Sequence, residues 1–255
     1  MCILPRKTWA RIYGCRRRWK APPLRRHIDR KFETLLSVSN TQAMLHYETI
    51  PVTPFEQNCS IVWCDQTHKA AIIDPGGDLD LLIATAKGLG VTLEQIWITH
   101  AHVDHAAATQ DLAERLGLPI IGPHPGDQFW IDGLPMAAAT YGFPPARPFK
   151  PTRWLKDGDT VSLGEHVLQV RHCPGHTPGH VVFYSPEMNR AFVGDVLFAG
   201  SVGRTDFPQG NHADLMHSIT HRLWPMGNDT VFIPGHGPES SFGVERASNP
   251  YVVGT

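Results

Sequence analysis

The sequence contains no long apolar run. Nowhere in its 255 residues do the ~20 consecutive apolar residues needed to cross a bilayer occur, and no membrane partner is expected. Cysteine is scarce and scattered. Cys2, Cys15, Cys59, Cys64 and Cys173 are an odd set with no CxxC spacing, which argues against a disulfide-stapled fold and for a reduced, cytoplasmic setting. Internal repeats and low-complexity linkers are absent from residues 44–255. Basic residues are also thin there. The chain has 23 Lys+Arg and 24 Asp+Glu, of which residues 1–43 hold 11 basic but only Asp29 and Glu33 as acids. The remaining 12 basic and 22 acidic residues leave the body at −10, which excludes nucleic acid as its main partner.

The start, MCILPRKTWARIYGCRRRWK, is basic but lacks an uninterrupted apolar stretch, so it is a poor secretory signal. Its arginine content resembles an organelle transit peptide only loosely. Residues 1–43 are read as a basic extension, disordered or preceding the true start, with Met44 a natural first residue of the body at 44–255.

From residue 44, short β-rich runs alternate with helical spacing. His46–Val52, Ser60–Cys64 and Ala70–Asp74 read as strands, Pro75-Gly76-Gly77 as a turn and Leu79–Lys87 as a helix. Gln95–Thr99 is a buried strand, Asp104–Leu116 a helix stopped by Gly117, and Pro119–Gly122 a short strand. Residues 123–155, rich in Pro and Gly, predict an irregular, partly helical excursion. Strands follow at Thr160–Leu163, His166–His172, His180–Tyr184 and Ala191–Gly194, then a helix near His212–Leu223 and a last strand, Thr230–Ile233. Strands in both halves with interspersed helices predict an α/β (α+β) sandwich flanked by helices, not one doubly wound sheet.

The chemistry concentrates in Thr99-His100-Ala101-His102-Val103-Asp104-His105, four metal-capable side chains within six residues at a strand-to-helix junction. His100 and His102, two apart in extended chain, point to one side. Asp104 and His105 enter the helix and aim at a different point nearby, although Asp104 is also a good N-cap. Two adjacent metals can share so short a span more easily than one. Three further candidates stand where apolar strands stop. They are His176 in Cys173-Pro-Gly-His-Thr-Pro-Gly-His180, Asp195 in Gly-Asp-Val-Leu-Phe, and His236 in Pro-Gly-His-Gly. Rigid scaffolds present catalytic groups at such ends.

The order HxHxDH, PGHTPGH, GDVLF, PGHG resembles the metallo-β-lactamase superfamily and, within it, the glyoxalase II (hydroxyacylglutathione hydrolase) group. The small bacterial YcbL-type type II glyoxalases are most similar, through PVTPFEQNCSIVWC at 51–64, IDPGGD at 73–78, GSVGRTDFPQG at 200–210 and GVERASNP at 243–250. The resemblance spans about residues 46 to 250. It implies an αββα sandwich with the site at one edge. It also implies that His100, His102 and His176 hold one metal ion, that Asp104, His105 and His236 hold the other, and that Asp195 bridges. Nitrogen and oxygen ligands suit zinc, the expected ion, and also iron or manganese.

Two divalent ions carry four positive charges, against one negative charge each from Asp104, Asp195 and a bridging hydroxide. The residual positive charge favours hydroxide and an anionic tetrahedral intermediate, with the ions ~3.5 Å apart. Asp104 and Asp195 are the expected catalytic carboxylates, and Asp195 is suited to orienting the hydroxide. A thiolate leaves without a proton donor, so a small-molecule thioester such as S-lactoylglutathione is the expected substrate. The protein is expected to be a monomer or small homo-oligomer.

Asp74 reads either as a partner of a ligand histidine or as a cap for the turn after it. His180 reads as a support for the ligands or as strand packing, and Cys173 as a small buried filler. The chain ends nineteen residues after His236, and the helical glutathione-binding domain of larger glyoxalases is not expected. Arg204 is then the best basic candidate for substrate binding, against a salt bridge to Asp206. Trp130, Phe143 and Phe149 read as pocket wall or as core. The alternatives are a mononuclear-iron persulfide dioxygenase of the same fold, disfavoured by His180 and PGHG, and a hydrolase of another ester or thioester.

Overall fold

The computed structural model describes residues 43–252 and 254. The expectations for the basic extension fall on residues outside that range, apart from Ala43. A first sheet holds β1 (Leu45–Val52), β2 (Gln57–Cys64), β3 (Lys69–Ile73), β4 (Thr92–Trp97) and β5 (Ile120–Ile121), in that order. Its β1–β2 and β2–β3 pairs are antiparallel, and β3–β4 and β4–β5 are parallel. A second sheet comprises β6 (Thr160–Leu163), β7 (His166–His172), β8 (Val181–Ser185), β9 (Arg190–Gly194), β12 (Val231–Pro234) and β13 (Ser240–Ser241), ordered β13-β12-β9-β8-β7-β6. Between β9 and β12 the chain makes a two-stranded hairpin, β10 (Leu197–Phe198) and β11 (Ser201–Val202).

Strand periodicity sorts the apolar residues into three layers. In β2 and β3, Cys59, Ile61, Ala70 and Ile72 face the helices α1 (Leu79–Gly88), α3 (Thr109–Leu116) and α4 (Gln128–Tyr141), whose Leu82, Leu112, Ile131 and Leu134 meet them. The alternate residues Val62, Ala71 and Ile73 face inward and share a middle layer with Val181, Phe183, Phe192 and Ile233 of the second sheet. Val182, Ala191, Val193 and Phe232 point outward onto α5 (His212–Ser218) and α6 (Phe242–Ser248). This is the αββα sandwich. Each fully buried Ile, Leu or Phe contributes about 1.5–3 kcal/mol. No described helix is long and apolar enough to cross a membrane.

One expectation is corrected and two are refined. The helix over Asp104–Leu116 is two helices, α2 (Val103–Ala106) and α3, separated at Ala107-Ala108, with Ala108 at φ −97°, ψ 4°. The residue before α2 is His102, not Asp104. Two alanines favour a continuous helix, so the break is tertiary: it lets His105 face the sheets while Leu112 enters the helix layer. The helical part of the excursion at 123–155 is the fourteen-residue α4, which tolerates Pro135 in its interior; the proline punctuation gave no sign of its length. The helix near His212–Leu223 is α-helical only to Ser218 and continues as a π-helical turn, Ile219–Leu223. The β10–β11 hairpin, β13 and α6 had no strong periodicity.

Candidate metal centre

Parallel pairing of β3 with β4 and of β9 with β12 brings the carboxyl ends of these strands to one edge. Antiparallel steps from β9 through β8 to β7 bring the end of β7 there too. The loops leaving those ends carry all the candidates. His100, His102 and His176 lie with one ligand atom each within 4.8 Å of one another, and Asp104, His105 and His236 form a second such group.

Asp195 stands between the groups. Its Oδ1 is 3.2 Å from His105 Nε2, and its Oδ2 is 3.5 Å from His176 Nε2 and 3.8 Å from His236 Nε2. Asp104 Oδ2 lies 3.1 Å from His236 Nε2. Gly235 permits this approach, since a Cβ there would fall on Asp195 Oδ1.

Four of the five candidate ligand rings are set by a bond at the far nitrogen, and the His102 ring is packed edge-on against Trp130 and Phe207. Asp74 accepts from the Thr99 amide (2.7 Å) and hydroxyl, and His100 Nδ1–H donates to that hydroxyl at 3.0 Å. His105 Nδ1–H donates to Asp74 at 2.9 Å, His176 Nδ1–H to the Arg204 carbonyl at 2.7 Å, and His236 Nδ1–H to the Phe55 carbonyl at 3.2 Å. The inward nitrogens, Nε2 of His100, His102, His105 and His176, are buried, as is Asp195 Oδ1, and none makes a well-formed hydrogen bond among the described residues. Buried polar atoms ordinarily have partners, and a cluster of bare nitrogens facing carboxylates fits a pair of divalent cations. Asp74, His100 and His105 also lie within ligating distance of one another. Asp74's oxygens are already taken by Thr99 and His105, so this trio is a support for the other two.

Charge follows the same division. Burial lowers the His100, His102 and His176 pKa values, keeping the imidazoles neutral as ligation requires. Burial opposes protonation of His105 and His236 as well, but Asp195 and Asp104 outweigh it and raise both. Burial would raise Asp195, yet the neighbouring imidazoles, led by His105, hold it well below the usual carboxylate range.

The supports resolve as follows. Asp74 is the partner of His105 and of Thr99. It sits at φ 54°, a left-handed conformation that the following turn requires. His180 Nε2 accepts from the Asp195 amide at 3.0 Å, and its ring stacks on His100 at 4.6 Å. Arg204 is paired side-on with Asp206, Nε to Oδ1 at 2.7 Å and Nη2 to Oδ2 at 2.6 Å, which lowers Asp206 to about 2. Phe149 is core, Phe143 and Trp130 pack against core, and Trp130 also lines the cavity of about 450 Å³ above the ligand groups. Cys173 is buried, its thiol pushed up by that burial.

Sequence reasoning missed two residues. Asp127 is fully buried; its Oδ2 accepts from the Ala101 amide (2.9 Å) and the Thr177 hydroxyl (3.0 Å), and its Oδ1 from the Gly179 amide (2.6 Å). It ties the loop of His100 and His102 to the loop of His176, and a Cβ on Gly179 would collide with it. Asn58 bonds the carbonyls of Pro234 and Gly237 through Nδ2, and its amide donates to the Gly235 carbonyl, holding the His236 loop. Neither lies in a metal-type pattern; the available signs were Gly126 before Asp127 and the place of Asn58 in PVTPFEQNCSIVWC.

Residues 52–236 match the metallo-beta-lactamase superfamily model. The chain is 42% identical over 209 residues to hydroxyacylglutathione hydrolase GloC of Haemophilus influenzae, covering 82% of this chain and 98% of that one. Among solved structures it is similar to the BLEG-1 B3 metallo-beta-lactamase, with a TM-score of 0.75 and 32% identity over 82% of this chain and all of the other. It is also similar to TTHA1623 in a di-iron-bound form, with a TM-score of 0.73 and 37% identity over 80% and 99% of the two chains. With the sandwich, the edge site and the family model in agreement, the chain belongs to the metallo-β-lactamase superfamily.

Proposed function

We propose that the protein is a binuclear metal-dependent hydrolase that cleaves a thioester, S-lactoylglutathione or a related hydroxyacylglutathione, with zinc as the metal. The observation that carries this reading is the pair of ligand groups facing each other across Asp195 on the floor of an open cavity. The Haemophilus relative's name supports the substrate. Two ions held there would supply Lewis acidity toward the acyl oxygen and lower the pKa of a bound water. The chain's own part is to hold the geometry: Asp74, Thr99 and the Arg204 and Phe55 carbonyls fix the rings. Asp195, kept ionised, would orient the attacking water. A mononuclear dioxygenase has no use for the second group of Asp104, His105 and His236.

Metal analysis of the purified chain is expected to give two ions, and a panel of S-lactoylglutathione, a chromogenic cephalosporin and glutathione persulfide is expected to show preference for the thioester. The likeness to a B3 metallo-beta-lactamase favours β-lactam hydrolysis as a second reading, and a larger kcat/KM on the cephalosporin would invert the order. One ion per chain with oxygen uptake on the persulfide would overturn both.

Arg204 is proposed to bind substrate. Its Nε and Nη2 are held by Asp206 while the side chain, 59% exposed, borders the cavity, which leaves Nη1 to meet a carboxylate. Screening and the Asp206 pair place this bond at the low end for charge-assisted contacts. Arg204→Ala is therefore expected to raise KM about three- to tenfold with kcat little changed. An unchanged KM would make the residue structural. The basic extension is proposed to be dispensable, since the family match begins at residue 52. A chain begun at Met44 is expected to keep its metal content and turnover, and loss of either on truncation would contradict this.

A further inference from the structure

Above the first ligand group, aromatic rings form an apolar recess. Trp130 meets His102 edge-on at 4.4 Å between centroids, Phe207 meets the same ring at 5.0 Å, and Trp130 and Phe207 are 6.1 Å apart. Phe207 also lies 6.4 Å from His176, so the two aromatic residues bracket one end of the candidate metal pair. The back of Phe207 is covered by the Arg204 guanidinium, 4.1 Å from the ring centroid, itself held by Asp206. Arg204 is the single Lys or Arg among the described residues lining the cavity. The Trp130 indole N–H is buried and has no acceptor among the described residues. The Trp130 ring packs against the helix-side core and also lines the cavity, so it offers the recess a firmly held apolar surface.

We infer that Trp130 and Phe207 form a specificity pocket for an apolar substituent on the acyl group, making aryl or branched-alkyl acyl thioesters the preferred substrates. The inference rests on the thioester reading above. The reacting carbonyl has to lie against the ligand groups, so its substituents extend along the cavity walls. A glutathione arm is charged and gains nothing from the rings, and the acyl substituent is left to occupy the recess. Exchanging a methyl for a phenyl buries more apolar area and adds ring–ring contact. That contact persists as the carbonyl becomes tetrahedral and is read in kcat/KM.

The test compares S-mandeloylglutathione with S-lactoylglutathione, which differ by phenyl for methyl, on the metal-loaded full chain. A preference for the mandeloyl ester of about tenfold or more in kcat/KM is expected. Trp130→Ala and Phe207→Ala, compared with the wild type per bound metal, are each expected to bring the ratio toward one, while Trp130→Phe keeps much of it. A ratio at or below one in the wild type overturns the inference, as do variants that lower both substrates in parallel. Failure to turn over any glutathione thioester instead overturns the glutathione reading, and the same two acyl groups carried on N-acetylcysteamine then decide the pocket.

Discussion

Asp195→Asn is expected to lower kcat by about a hundredfold to a thousandfold while the protein remains folded. The carboxylate lies between His105 on one oxygen and His176 and His236 on the other, and its neighbours keep it ionised against burial. Asparagine has the same shape, so the Gly235 contact and the Asp195 amide bond to His180 survive. What is lost is one negative charge in a site built around it and one oxygen facing a ligand group. Losing one preorganised electrostatic partner at a reacting centre costs about 10²–10³ in kcat, which sets the stated range. Turnover is to be measured beside metal content and Tm. A kcat near wild type with two ions bound would remove Asp195 from the reaction, and loss of folding would make it a structural residue.

The second large effect is expected at Asp127, which touches no candidate ligand. Asp127→Asn turns one acceptor oxygen into a donor facing either the Gly179 amide or the Ala101 amide and Thr177 hydroxyl. A buried donor left unpaired costs about 1–3 kcal/mol. Loosening the tie between the two loops is expected to weaken metal binding at the His100, His102 and His176 group about 10–100-fold, the usual scale for partners behind metal ligands. Chelator competition measures it, and unaltered affinity would reduce Asp127 to a core residue.

The pH dependence gives a second check. Burial raises Asp127, the three donors lower it, and the balance puts it at about 6, above its unfolded value near 3.9. A raised folded pKa means its contribution to stability is full below about 4 and is lost as pH rises through 6, by up to about 3 kcal/mol. The stability gap between wild type and Asp127→Asn in the metal-free protein is therefore expected to narrow between pH 4 and 7. A gap that widens over that interval contradicts the assignment.

The middle of each strand was legible because burial on both faces demands apolar residues on both. The strands at His46–Val52, Thr160–Leu163 and His166–His172 match within a residue, as does the stop at Gly117, which adopts φ 69°. The candidate ligands were legible because four of the seven are consecutive or alternate in sequence, and the others sit beside Gly and Pro at strand ends. Asp74 stood as an even choice between two roles because its position before a turn suits both. Only the approach of Thr99 and His105 from across the sheet decides for the histidine partner. Arg204's tie to Asp206 was a local possibility, two residues away, that its exposure allows to form.

By itself the sequence determined the kinds of donor present, their places at strand ends, the layered sandwich and the exclusion of a membrane-spanning run. These depend on periodicity and residue chemistry, which are local. Only the tertiary structure decided which imidazoles share a point in space, which nitrogen of each ring is free, that Asp127 clamps two ligand loops, and that Trp130 and Phe207 wall one end of the site. Those depend on pairings across roughly 25 to 130 residues of chain, set by strand register and sheet order. A burial pattern in one segment carries no record of the segment it will face.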